Sequence, residues 1–133
     1  MERKDELPLY HDTYKVLRFI ISKQVMDAIP QKHRYDIGSR LKMSCEDMLE
    51  NILRANMLTN KDTAIRNLRV SYNMVKINLR LLMDEKWISE STYSQILPMM
   101  NSIGKQITGW FKYNLKKNGT SERSTDGIGT SSL

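Results

Sequence analysis

The sequence predicts an all-α protein, an antiparallel up-down-up-down four-helix bundle, on the strength of three observations. Apolar residues recur at spacings of three and four through four long stretches. No stretch alternates apolar and polar residues with period two over a useful length, so no strand pattern competes. The breaks between the stretches are short, and helices joined by short connections pack as antiparallel neighbours. With 133 residues, 40% of them hydrophobic, the chain reads as one domain able to bury a core.

The first helix is expected over residues 9–28, with Tyr10, Tyr14, Leu17, Ile21, Val25 and Ala28 on its core face. Pro8 suits a first helical turn and Pro30 ends the segment. The second helix is expected over residues 35–57, facing inward with Ile37, Leu41, Cys45, Met48, Ile52 and Ala55, and broadened by Leu49 and Leu53. Thr59 to Asp62 has the Ser/Thr-x-x-acid spacing of a weak capping box for the third helix. That helix ends near Asp84, Glu85, Lys86 and Trp87, and Ser89 is the expected N-cap of the fourth. The fourth carries Tyr93, Ile96, Leu97, Met100, Ile103, Ile107 and Phe111 toward the core, and Pro98 should bend it. From Lys117 onward the chain is polar, rich in Gly, Ser and Thr, and without periodicity. The expected organisation is therefore a bundle domain, 1–116, and a disordered tail, 117–133.

The third helix carries more than a bundle helix requires. Ile65, Leu68, Tyr72, Val75, Leu79 and Leu82 form its core stripe. Arg66, Arg69, Lys76 and Arg80 fill a neighbouring arc about 80° wide. Beyond them Val70, Met74, Ile77 and Leu81 make a second apolar seam, which a monomeric core would leave partly in water and which is the expected oligomer interface. No acid lies between Thr63 and Met83.

Charge points the same way. The net charge is +6, and residues 59–116 hold nine basic side chains against four acids. Such a surface attracts polyanions through phosphate contacts and counterion release. Arginine outnumbers lysine in the basic arc, and guanidinium favours bidentate contacts to phosphate or carboxylate. Nucleic acid or an acidic partner is one reading. The other pairs these cations, across the bundle or between subunits, with Asp12, Asp27, Glu46 or Glu50. In the run GKQITGW, Gly104 and Gly109 read as close helix packing or a helix end. Lys105 and Lys112, near Trp110 and Tyr113, are further candidates for contact with bases and phosphates.

Catalysis is not expected, and no metal or cofactor is called for. His11 and His33 lack partners at metal-ligand spacing. Glu46, Asp47 and Glu50 lack the Glu-x-x-His repeats of a di-metal bundle. There is no phosphate-binding glycine loop and no nucleophile elbow. Cys45, the single cysteine, falls on a core position and reads as a buried, inert thiol in a reducing compartment. No apolar run is long enough for a membrane span and no secretory signal is visible, so the expectation is a soluble, cytoplasmic protein.

The opening LPLYHDTYKVL, the run YDIGSRLKMSCEDMLENILRAN, the basic third helix and the closing IGKQITGW resemble the accessory variability determinant (Avd) family of diversity-generating retroelements. That family is similar to the wider group of four-helix-bundle proteins encoded in intervening sequences of bacterial 23S ribosomal RNA genes. The resemblance covers about residues 7–110 and leaves out the tail. It implies a bacterial or phage-encoded protein whose four-helix bundles assemble as a pentameric barrel. It also implies that the protein binds nucleic acid, RNA or DNA, and associates with the retroelement's reverse transcriptase. That complex copies a template-repeat RNA with errors at adenines. The implied contacts with nucleic acid or polymerase fall on the helix-three positions Arg66, Arg69, Lys76 and Arg80. The alternative implied by the wider group is an oligomeric protein-interaction scaffold without nucleic-acid function.

Overall fold

A computed structural model describes residues 7–121 of the chain, with side chains through residue 117. The described residues are helical throughout, joined by short turns, with no strand among them. Helix α1 spans Pro8–Ile20, α2 Lys23–Met26 and α3 Gln31–His33. A π-helical turn, Arg34–Gly38, follows and runs into α4, Ser39–Met57; α5 spans Asp62–Asp84 and α6 Glu90–Ser121. Of the four long helices, α1 packs against α4 and α6, and α5 packs against the same two. Helices α1 and α5 therefore stand at opposite corners of the core. The broadest of these contacts is α4 against α5.

The expected first helix is broken in two. At Ser22 the backbone is extended, and the Ser22 hydroxyl donates to the Phe19 carbonyl at 2.6 Å, closing α1 before the chain restarts as α2. Its buried face also differs from the expected one. Leu9, Thr13, Val16, Ile20, Val25 and Ile29 are buried, whereas Tyr14 and Ile21 are exposed. Along α1 the stripe is thus one residue, about 100°, away from the tyrosine-rich stripe, whereas Val25, beyond the break, is buried as expected. A fully buried threonine at its centre conceals the true face from a reading based on hydrophobicity.

The inward faces of α4 and α5 agree with their periodicity at their centres: Leu41, Cys45, Met48, Ile52 and Ala55 on one, Ile65, Leu68, Val75, Leu79 and Leu82 on the other are buried, while Leu49 and Tyr72 are half-buried and Leu53, expected to broaden the α4 face, lies too far round the helix and is exposed. Helix α6 buries Ile96, Met100, Ile103, Ile107 and Phe111, but Leu97 is exposed, one residue beyond Ile96 on the outer side. Pro98 lies inside α6, where it supplies no amide hydrogen to the carbonyl four residues back. Helix α6 runs on through Ser121, so residues 117–121, expected as tail, continue the helix. The remainder of the expected tail, 122–133, lies outside the described residues.

The caps show how the turns are set. Thr59 and Asp62 do not make the expected capping box. The Asp62 amide donates instead to Asn60 Oδ1 at 3.2 Å, and Lys61 Nζ donates to the Ala55 and Leu58 carbonyls at 2.5 and 2.7 Å, closing α4. Ser89 does cap α6, its Oγ accepting from the Thr92 amide at 3.0 Å. At the end of α5 the Trp87 amide bonds the Leu82 carbonyl and the Lys86 amide bonds the Met83 carbonyl, each at 2.9 Å. This is a Schellman closure with Lys86 at φ 62°, a left-handed position that glycine fills without strain.

The two glycines of GKQITGW differ. A Cβ on Gly104 would overlap Tyr72 Oη and lie 2.9 Å from its Cζ, so the missing side chain is what lets α5 seat Tyr72 against α6. From that seat the Tyr72 hydroxyl donates to the Met100 carbonyl at 2.9 Å. Gly109 has nothing within 4 Å of its Cβ position.

Candidate nucleic-acid interface

Helix α5 leaves its second seam open. Val70, Met74 and Ile77 are 62%, 40% and 58% exposed, and Leu81 is half-buried. Toward α6 the seam opens into a groove of about 430 Å³. Its apolar wall includes Ile77, Leu81, Leu97 and Met100, and Lys76, Arg80, Asp84 and Asn101 complete the lining.

The four basic side chains of α5 do not form a uniform row. Arg66 Nε donates to Asp62 Oδ2 at 2.8 Å and is half-buried. The Arg69 guanidinium lies 4.2 Å from the centre of the Phe111 ring, a cation–π contact that ties α5 to α6. Lys76 Nζ stands 5.3 Å from the Tyr72 ring centre. Arg80 Nε donates to Asp84 Oδ1 at 3.0 Å, and the carboxylate raises the guanidinium pKa above its usual value. The row therefore splits into an Arg66–Arg69 end beside Phe111 and a Lys76–Arg80 end beside the groove. Asp62 and Asp84 were both legible as partners, standing four residues from Arg66 and Arg80 at the two ends of the acid-free stretch.

The acids proposed as cross-bundle partners are otherwise engaged or exposed. Glu50 pairs with Arg54 at 2.5 Å, and Asp12 Oδ2 accepts from Gln106 Nε2 at 2.7 Å. Asp27 and Glu46 are exposed. Lys105 and Lys112 are exposed on α6 and take no part in lining the groove. Trp110 is half-buried against the core, while Tyr113 is exposed.

Cys45 is fully buried, its Sγ 3.8 Å from the Thr13 carbonyl, and desolvation followed by the Glu46 charge pushes its pKa up to about 12. A thiol held protonated at neutral pH is a poor nucleophile. Among the described residues no group of three or more His, Cys, Asp or Glu is placed to hold a metal ion, and no helix is long and apolar enough to cross a membrane. His33 stacks on Trp87 with ring centres 5.1 Å apart, joining the turn before α4 to the turn after α5.

What α5 offers chemically is adhesive: cations for phosphate or carboxylate beside an apolar strip with no internal partner. A family model described as bAvd-like matches residues 12–114. No curated protein matches the chain.

Proposed function

The chain belongs to the bAvd-like family, and from that membership we propose that it is a non-catalytic accessory protein of a diversity-generating retroelement. In this reading it is an up-down-up-down four-helix bundle that assembles as a pentameric ring through Val70, Met74, Ile77 and Leu81. The ring presents Arg66, Arg69, Lys76 and Arg80, with Lys105 and Lys112, to the reverse transcriptase and its RNA or cDNA.

The observation that carries the reading is the exposed seam of α5 lying directly beside its basic arc. Exposed apolar strips of this kind mark association surfaces. Repeating the arc around a ring makes a modest patch multivalent, which raises avidity with no new contact. The ion pair of Arg80 with Asp84 does not remove that residue from use. Both partners are more than half exposed, water screens them, and a phosphate can compete for the guanidinium.

A second reading has its own support. Asp62 and Asp84 already answer two of the four cations, as suits a protein-interaction scaffold without nucleic-acid function. Binding of structured RNA to the full chain, measured at low and high salt, separates the two. The accessory reading expects salt-dependent binding, together with a pentameric mass that Met74→Glu reduces. Absence of RNA binding at either salt supports the scaffold. An unchanged mass for Met74→Glu rejects the assigned interface.

A further inference from the structure

The third long helix is not the only place where cations stand beside an exposed apolar surface. At the far side of α4, the end of α1, helix α2 and the π-turn enclose a shallow cavity of about 320 Å³, with Ile21, Met26, Arg34, Tyr35, Gly38 and Lys42 among its lining residues and none of the lining on α5 or α6. Tyr35 is 89% exposed, more than any other large hydrophobic side chain among the described residues.

The exposure of Tyr35 is built into the fold. Residues 34–38 form a π-helical turn, a geometry that is rare and tends to occur at functional positions. Gly38 lets this turn sit on α2, since a Cβ there would lie 3.0 Å from Met26 Sδ. Arg34, in the lining, is held in place by its Nε donating to the Ile29 carbonyl at 2.9 Å and its Nη2 to the Asp27 carbonyl at 3.1 Å. Both acceptors are neutral carbonyls, so its charge is not cancelled. Lys42 forms no ion pair among the described residues. No carboxylate lines the cavity. The neighbouring Asp36 is engaged by the Ile37 amide and His33, the first of which chiefly lowers its pKa.

We propose that this cavity is a second nucleic-acid contact, in which Tyr35 stacks on one unpaired base over the apolar floor of Ile21 and Met26 while Arg34 and Lys42 meet the flanking phosphates. Charge selects the occupant. Two cations and no acid in the lining call for an anion, and an exposed aromatic face calls for a flat partner; single-stranded RNA supplies both. A second copy of the chain docking by its α5 seam would bring Arg66, Arg69, Lys76 and Arg80 toward Arg34 and Lys42, like charge against like. The proposal rests on the nucleic-acid reading of the preceding section, but its residues are separate from those of α5.

The test is the affinity of the full chain for a fluorescent single-stranded RNA, with mass and thermal unfolding measured alongside. Tyr35→Ala should weaken binding about tenfold, in keeping with the loss of one stacked base. Tyr35→Phe should bind like the parent, and Lys42→Glu should weaken binding further than Tyr35→Phe. Melting temperature and mass should not change, because Tyr35 is exposed. Equal affinity of parent and Tyr35→Ala, while Arg69→Ala with Lys76→Ala weakens binding, overturns the cavity and leaves the α5 reading standing. A fall in the mass of Tyr35→Ala overturns it in favour of a contact between copies. A parent chain that binds no RNA overturns both readings together.

Discussion

Helix α5 carries two apolar seams of similar chemistry with opposite fates. Ile65, Leu68, Val75, Leu79 and Leu82 are buried to 2% exposure or less, whereas Val70, Met74 and Ile77 keep 40% or more of their surface in water. Nothing in side-chain type separates valine from valine or isoleucine from isoleucine. The difference is what each seam faces: α4 and α6 close over the inner one, and the outer one lies past the edge of their cover. Burial is a property of neighbours, and a seam of core composition left outside the core is a reason to look for a neighbour elsewhere.

The sharpest way to test the contrast is to truncate each seam in turn. Leu68→Ala should destabilise the fold by about 2–5 kcal/mol in denaturant unfolding, from lost burial and the cavity left behind. A cost below about 1 kcal/mol would mean that the inner seam is not the core it looks like. Gly104→Ala probes the boundary between the two faces, where Tyr72 crosses to α6. The added methyl must displace the Tyr72 ring, and a loss of about 1–3 kcal/mol is expected in the same assay. The smallest expected effect is on the outer seam. Val70→Ser should change the stability of the dissociated chain by no more than about 0.5 kcal/mol, and should show itself instead as weaker self-association by sedimentation. A large loss of fold stability from Val70→Ser would erase the distinction between the seams.

Much of this arrangement was legible along the chain. The four long helices, the inner faces of α4 and α5, the exposed second seam and the Ser89 cap follow from spacings of three and four residues and from side chains that bond their own backbone nearby. Asp62 and Asp84 were equally legible, at four residues from Arg66 and Arg80 and just outside the acid-free interior of α5. Other features were less plainly legible, because the same local residues admit more than one outcome. The break at Ser22 depends on a local hydroxyl bond that competes with helix continuation. The π-turn that turns Tyr35 outward has no periodic signature.

The sequence by itself determined that the described residues are helical, roughly where α4, α5 and the start of α6 lie, and that α5 has two apolar faces separated by cations, because these depend on interactions no more than four residues apart. Only the tertiary structure decided that α1 buries Thr13 and Val16 rather than Tyr14, that Gly104 yields its side-chain volume to Tyr72, and that Ile21 and Met26 come to line one cavity with Tyr35 and Lys42. Each of those outcomes depends on residues many positions away in the chain, and close packing admits only the side chain that fits the space its neighbours leave.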